Sequence, residues 1–369
     1  MNYLYNRFMT IDERLNLVKQ VGEEITSEEE LRKLMESDKE IIAYDGFEPS
    51  GQIHIAQGLL RAINVNKMTE AGFTFKMWVA DWFALVNNKM GGDIEKIKVV
   101  GEYFIEVWKA SGMNLNKVEF IWASDFIKSH PEYWELVLKI GMKKNLPRIL
   151  RTIEIMGRSD SDTLSAAQVI YPLMQATDIF MLGADVTQLG MDQRKVNMLA
   201  REVAEDLGFK KPIVVSHHML LGLLPPAGDF ANENSTDRAI RLKMSKSKPD
   251  SAIFMTDSTK EIERKIKNAW CPEGIITENP VLEYCKYIVF GKVDKMIIER
   301  KPEHGGNLEY SSFEELEKDF ESKALHPMDL KSALIKYLDE FIEPVRKHFE
   351  KDANAKKLKE QVESFIVTR

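Results

Sequence analysis

The stretch "IIAYDGFEPSGQIHIAQG", residues 41–58, decides the fold. It opens on a short apolar, β-prone run, passes through a turn rich in Gly, Pro and Ser, and enters a helix that begins near Gln57. A strand, a loop and a helix in that order aim backbone N–H groups and the positive end of a helix at one point, the simplest way to hold phosphate. His54 sits at that point, able to donate to a phosphoryl oxygen; in a tight turn it can equally be an ordinary surface histidine. Neither G-x-x-x-x-G-K-[ST] nor G-x-G-x-x-G occurs in the chain, which excludes a P-loop or a dinucleotide fingerprint.

Outward from this unit the same kind of run recurs as "FTFKMWVA" (73–80), "VEFIW" (118–122) and "IVVS" (213–216). Runs that are apolar on both faces suit parallel strands covered by helices on each side. The expectation is a doubly wound α/β sheet, with helices such as "IEKIKVVGEYFIEVWKAS" capped by Asp93. Residues 223–252 lack periodicity and read as a long loop, and beyond about residue 259 charged helical patterns replace strands. A chain of 369 residues, 44% apolar and 30% charged, suits roughly two domains, the second smaller and mainly helical.

Composition also excludes. No run of about eighteen apolar residues occurs, and the N-terminal sequence has neither an apolar h-region nor a transit pattern, so the expected compartment is the cytosol. Two cysteines, Cys271 and Cys285, in no C-x-x-C pairing, argue against a disulfide framework or a cysteine zinc site. A formal net charge of -7 argues against general adhesion to nucleic acid, while leaving room for local basic patches.

Three further stretches carry chemistry. The helix "SAAQVIYPLMQATDIFML" (165–182) is apolar nearly all round, yet places Tyr171, Gln175 and Asp178 at i, i+4 and i+7 on one face. Burying an amide and a carboxylate without partners costs at least about 2 kcal/mol, so the stripe needs either an internal network or a polar small ligand. "QLGMDQRKVNMLARE" (188–202) puts Gly190, Asp192 and Gln193 at a strand-to-helix junction, where a parallel sheet binds its ligands. "RLKMSKSKPDSAIF" (241–254) gathers Lys243, Lys246 and Lys248, a pattern that suits either a solvated face or a mobile grip on a triphosphate.

Taken together these features resemble the class I aminoacyl-tRNA synthetases, and among them the tyrosyl-tRNA synthetases of archaeal and eukaryotic type. "HIAQ" (54–57) is similar to a degenerate HIGH signature, "KMSKS" (243–247) is the second signature intact, and "HGGN" (304–307) and "LHPMDLK" (325–331) extend the likeness. The resemblance implies a Rossmann-like catalytic domain over 41–225 with a connective insertion around 123–162, after a helical N-terminal extension over 1–40. The KMSKS loop and linker would occupy 226–258, and a helical anticodon-binding domain 259–369.

Residue by residue, it implies that Tyr44 and Asp178 bind the phenolic hydroxyl of L-tyrosine. Tyr171, Gln175 and Gln193 would hold the ammonium group, with Glu48 in support. ATP would meet His54, Gln57, Gly190, Asp192, Lys243 and Lys246, of which His54, Lys243 and Lys246 are the catalytic set, with Ser245 and Ser247 keeping the loop adaptable. His304, His326 and Asp329 would read the anticodon of tRNA(Tyr). Mg²⁺ is expected to accompany ATP without a protein metal cage, and a homodimer is expected. The implied reaction joins tyrosine to ATP as tyrosyl-adenylate and then to tRNA. Gln57 and Ala56 depart from the HIGH pattern, and Lys248 has no assigned role. The rivals are a tryptophanyl-tRNA synthetase, against which an acceptor such as Asp178 opposite Tyr44 argues, a small-molecule nucleotidyltransferase of the same core, and a binding protein that has lost catalysis.

Overall fold

The computed structural model describes residues 9–37, 39–157, 163–226, 238, 241–244, 246 and 248–365. Six strands form one sheet: β1 Gly22–Thr26, β2 Ile41–Phe47, β3 Phe73–Val79, β4 Val118–Trp122, β5 Val186–Gly190 and β6 Ile213–His217. Their order is β1-β6-β5-β2-β3-β4, all parallel except β1, which runs antiparallel to β6. The chain runs outward from β2 through β3 to β4, then returns to the other side of β2 with β5 and β6. The order therefore reverses between β2 and β5, where an open parallel sheet leaves a crevice beyond its carboxyl ends. Ala43 lies opposite Val186 and Tyr44 opposite Thr187 across that seam.

Two observations differ from the sequence reading. Residues 22–26 form a strand inside the stretch expected to be helical, flanked by the helices Ile11–Val21 and Glu28–Met35. "GEEIT" is too polar to announce itself; it is an edge strand whose pairing comes from β6. Strands also do not stop at 259, because β7 Met296–Ile298 and β8 Leu308–Tyr310 pair as a two-stranded ribbon. Each has three residues, too few to show a period of two.

Alternation along the strands divides the core in two. Ala43 and Phe47 of β2 face one cluster, with Phe73, Phe75 and Met77 of β3, and this cluster continues through Phe104 to Leu338 and Val362. The C-terminal helices thus join this cluster by packing against the Ile94–Ala110 helix. Tyr44 and Trp78 point the other way, into a cluster with Tyr133, Tyr171 and Ile179. Each fully buried Phe contributes about 1.5–3 kcal/mol of apolar burial.

The helices that position the site are well signalled. Ser165 and Gln168 form a reciprocal capping box that starts the Ala166–Met181 helix. Pro172 lies inside that helix, and its missing N–H leaves the Gln168 carbonyl without its in-helix donor. Asp93 caps Ile94–Ala110 by accepting from the N–H groups of Glu95 and Lys96, as its place in the sequence predicts.

Candidate functional site

The polar stripe on Ala166–Met181 faces the β2 seam, and its members are buried. Asp178 is fully buried; its Oδ1 accepts from the Tyr133 hydroxyl at 2.6 Å, and its Oδ2 has no hydrogen-bond partner. Burial pushes the Asp178 carboxyl well up, while the Tyr133 hydroxyl and the nearby Trp78 indole pull it back down. The Trp78 N–H lies close without a well-formed hydrogen bond, so it too is left unpartnered. Tyr44, buried on β2, has its phenol pushed well up by burial and then by the charge of Asp178, which places the two side chains in one electrostatic neighbourhood. A side chain at position 46 would crowd the Tyr44 hydroxyl, with an added Cβ 3.0 Å from Oη. Glycine there leaves the space beside that hydroxyl unfilled.

One and two turns earlier on the helix, Gln175 and Tyr171 continue the stripe. The Gln175 amide donates to Gln193 Oε1 at 3.0 Å, Gln193 in turn donates to the Ile155 carbonyl at 3.0 Å, and Gln175 Oε1 is left buried without a partner. The Tyr171 hydroxyl donates to Glu48 Oε1 at 2.7 Å. Glu48 also accepts from Asn87 Nδ2 at 3.1 Å and lies 3.6 Å from Lys89 Nζ. The six residues read from the sequence as an amino-acid pocket thus fall into two linked pairs, Tyr171 with Glu48 and Gln175 with Gln193, beside Tyr44 and Asp178. Two buried acceptors, Asp178 Oδ2 and Gln175 Oε1, remain open.

The residues expected to meet phosphate lie on the neighbouring loops. Ile55 N–H donates to the Ile253 carbonyl and Met255 N–H to the Ile53 carbonyl, both at 2.9 Å, so the segment after the lysine loop is stitched to the His54 turn. His54 is buried with Nδ1 unpartnered. Burial, then Lys246, Lys243 and Arg61, push its imidazole well below the ordinary range, which keeps it a neutral donor. Lys246 Nζ donates to the Ser50 carbonyl and, at 3.2 Å, to Ser50 Oγ, with the Phe104 ring 4.7 Å away. Burial and the neighbouring Lys89 and Arg61 push its ammonium well down. Lys243 donates to Asp192 Oδ2 at 2.9 Å. Burial works against the Asp192 charge, but Lys243 outweighs it and holds the carboxyl low.

A side chain at Gly190 would displace the Asp192 carboxylate and the Met219 thioether, since a Cβ would stand 2.7 Å from Asp192 Oδ1 and 2.8 Å from Met219 Sδ. Gln57 binds this region through its backbone, whose carbonyl accepts from Trp108 Nε1 at 2.8 Å; its side-chain Oε1 is buried without a partner. Ser245 and Ser247 lie outside the described residues, and Lys248 is exposed.

Three residues escaped the sequence reading. Arg61 pairs with the fully buried Asp45, Nε to Oδ2 2.9 Å, beside the Phe47 and Trp108 rings. Burial pushes Asp45 up to about 6 against the pull of Arg61 and the Gly46 N–H. The available signal was a lone arginine inside the apolar run "GLLRAINV". Lys89 sits on a loop with Asn88 and Met90 at positive φ (57° and 54°), clamped where Gly51 N–H meets Met90 Sδ at 3.3 Å. Tyr133 had no local signal: nothing in "PEYWELV" distinguishes it from a core tyrosine.

The expected anticodon residues stand elsewhere. His304 is exposed at the Pro302–His304 turn between β7 and β8. His326 caps the Pro327–Lys351 helix, its Nδ1 accepting from Met328 N–H at 3.2 Å, and Asp329 lies in that helix's first turn. Among the described residues no hydrogen bond or ion pair joins His304 to the other two.

A reversal point that presents a buried polar stripe on one side and a histidine with two lysines on the other suits an enzyme that brings a polar small molecule together with a phosphate-bearing one. The sequence profile described as tRNA synthetases class I (W and Y) matches residues 35–343, and the chain belongs to that family. It is 53% identical over 361 residues to "Tyrosine--tRNA ligase 1, cytoplasmic" of Arabidopsis thaliana, covering 97% of this chain and 90% of that protein. Among solved structures, a Leishmania major tyrosyl-tRNA synthetase in complex with tyrosinol superposes with TM-score 0.87 at 47% identity. That match covers 96% of this chain but 52% of the Leishmania chain. The Pyrococcus horikoshii tyrosyl-tRNA synthetase complexed with L-tyrosine gives TM-score 0.88 at 38% identity, covering 95% of this chain and all of that one.

Proposed function

We propose that this chain is a tyrosine–tRNA ligase, which activates L-tyrosine with ATP and transfers it to the 3′ end of tRNA(Tyr). One observation carries the choice of tyrosine: a fully buried carboxylate, Asp178, offers one open oxygen beside the buried hydroxyl of Tyr44. A phenol both donates and accepts, so an acceptor and a donor side by side suit it. An indole only donates, and would leave the Tyr44 donor unanswered.

In this reading the substrate hydroxyl donates to Asp178 Oδ2 and accepts from Tyr44. The ammonium group meets Gln175 Oε1 and the electron-rich side of Tyr171, which Glu48 orients. The tyrosine carboxylate then attacks the α-phosphorus of ATP: an oxygen–phosphorus bond forms and the bond to the β-phosphate bridging oxygen breaks. Pyrophosphate leaves with that electron pair. Neutral His54, Lys246 and Lys243 stabilise the charge on the phosphoryl oxygens, with Gly190 and Asp192 close to the nucleoside. In the second step a terminal ribose hydroxyl of tRNA attacks the adenylate carbonyl, loses its proton, and AMP departs.

Among the described residues no group of three or more His, Cys, Asp or Glu side chains is placed to hold a metal. Mg²⁺ in this reading arrives on the triphosphate and offsets its charge, keeping most of its waters. His304, His326 and Asp329 would contact the anticodon by ring stacking and a base-edge hydrogen bond, which suits their position away from the pocket. The cytosol is the proposed compartment, in keeping with a relative named as cytoplasmic; no helix among the described residues is long and apolar enough to cross a membrane.

A homodimer is supported by one exposed face of the Glu132–Lys143 helix, where Trp134, Leu138 and Met142 are 42%, 68% and 85% exposed at i, i+4 and i+8. Sedimentation of the Met142→Glu variant as a monomer, against a wild-type dimer, would support that surface. Pyrophosphate exchange measured with each of the twenty amino acids, followed by charging of tRNA, tests the assignment. Exchange driven by tyrosine is expected; exchange driven by tryptophan, or by none, overturns it.

A further inference from the structure

Tyr133 occupies a place that the proposed chemistry leaves unexplained. Its ring is fully buried on the Glu132–Lys143 helix, which packs against Ala166–Met181. Its hydroxyl oxygen lies 2.6 Å from Asp178 Oδ1 and 2.9 Å from the Met174 carbonyl oxygen. A phenol has one proton, so it can fully serve only one of these acceptors. The Met174 carbonyl lies inside a helix and has an N–H four residues on; the carboxylate has no such standing partner. The shorter distance, and the donor the Met174 carbonyl already has in its helix, assign the proton to Asp178.

From this arrangement, and resting on the reading of the pocket as a tyrosine site, we propose that Tyr133 is a specificity-determining positioning residue. It ties down Asp178 Oδ1, so that Oδ2 alone is presented to the phenolic hydroxyl of the substrate. The donors then line up in one direction. Tyr133 donates to Oδ1, the substrate hydroxyl donates to Oδ2, and Tyr44 donates to the substrate oxygen. No member of this chain is asked to donate twice.

Without the Tyr133 hydroxyl two things change. Asp178 would have both oxygens open beside Trp78, whose buried Nε1 also lacks a partner. A carboxylate free to turn toward that indole no longer holds Oδ2 at the substrate. Burial, which already favours the neutral acid, would also lose its strongest opponent. A neutral, movable carboxyl is a poorer acceptor for tyrosine and a smaller penalty for phenylalanine, because less of it is left unpaired when the hydroxyl is missing.

The test is pyrophosphate exchange by wild type and Tyr133→Phe with tyrosine and with phenylalanine. The expected result is a fall in kcat/KM for tyrosine of about 10–100-fold, carried mainly by KM, consistent with loss of one buried hydrogen bond that leaves its partner unsatisfied. With phenylalanine kcat/KM should stay within about threefold, so the selectivity ratio falls nearly as far. A purely structural role would depress both substrates equally and leave the ratio intact, which overturns the proposal. Should Tyr133→Phe fail to fold, Tyr133→Met, which also lacks the donor, carries the same ratio test; where Tyr133→Phe folds, Asp178→Asn and the double variant Asp178→Asn/Tyr133→Phe extend it. Equal selectivity in these two shows that Tyr133 acts through Asp178; a further loss of about tenfold or more in the double variant shows that it does not. Wild-type protein without tyrosine-dependent exchange would overturn the tyrosine reading itself, and this proposal with it. Tyrosine-specific wild type with an unchanged ratio in Tyr133→Phe overturns the proposal alone.

Discussion

The two halves of the site are built on opposite physical plans. On the Tyr44 side, every group that would touch the amino acid stands on a strand or a long helix, is buried or nearly so, and is held by a neutral or neutralised neighbour: Tyr171 by Glu48, Gln175 by Gln193, Asp178 by Tyr133. What remains open is two acceptors, a fixed template for a ligand's donors. On the His54 side the working groups are a neutral imidazole and two lysines on loops, and each lysine rests on an oxygen of the protein, Lys243 on Asp192 and Lys246 on Ser50. The first half is prepared for a small molecule whose charge distribution does not change during binding. The second must exchange provisional oxygens for phosphate oxygens as charge moves, which flexible ammonium groups on a loop can do.

The comparison can be broken at its rigid half first. Asp178→Ala should reduce kcat/KM for tyrosine by about 10³-fold or more, since it removes the buried acceptor and leaves its donors unpaired, while circular dichroism and the unfolding transition stay close to wild type. Unchanged tyrosine kinetics would show the stripe to be a structural network. Lys246→Ala should slow adenylate formation by about 10²-fold, the cost of one donor to a developing phosphoryl charge, and leave calorimetric tyrosine binding unchanged. If tyrosine binding weakened as much as turnover, the two halves would not be separate. Asp192→Asn should act more mildly, raising KM for ATP about tenfold with tyrosine KM unmoved, because Lys243 loses its resting partner but keeps its reach.

The smallest effect lies outside both halves and tests the frame that carries them. His218 follows β6 and joins Glu23 of β1 (Nδ1 to Oε2 3.0 Å) to Glu283 (Nε2 to Oε2 3.1 Å), with its ring stacked on Tyr287. Burial opposes its charge, but the two carboxylates prevail and hold it up to about 9. The folded state thus binds this proton more tightly than an unfolded chain, where histidine titrates near 6.5. Its contribution, of the order of 1–3 kcal/mol, is complete below pH 6.5 and is lost as pH rises through 9. Thermal unfolding followed from pH 6.5 to 9.5 should show wild type losing stability more steeply than His218→Gln; parallel slopes would refute the linkage.

Much of this was legible in one dimension, for reasons that can be assigned. Tyr171, Gln175 and Asp178 stood out because a helix returns every 3.6 residues, so polar groups at that spacing inside an apolar run must share a buried face. β2, β3 and β6 were legible because parallel strands buried on both sides leave continuous apolar runs; β4, a partly exposed edge strand, was legible from its β-branched and aromatic residues. β1 was not, because an edge strand carries polar residues and receives its hydrogen bonds from a partner 190 positions away. Arg61 and Tyr133 were not, because a buried arginine or tyrosine is identified by what neutralises it, Asp45 in one case and Asp178 in the other, and each partner lies outside the residue's own turn.

By itself, then, the sequence determined the parallel strands β2, β3, β4 and β6, the polar stripe, the two signature loops and the family they resemble. All of these are local patterns of spacing and composition. The tertiary structure alone decided which oxygen of Asp178 is open, where the two lysines rest, and that His54 is neutral. Those are properties of distance and dielectric, set by segments that meet only when the chain is folded, and the most consequential of them is the hydroxyl of Tyr133 placed against a carboxylate 45 residues further along the chain.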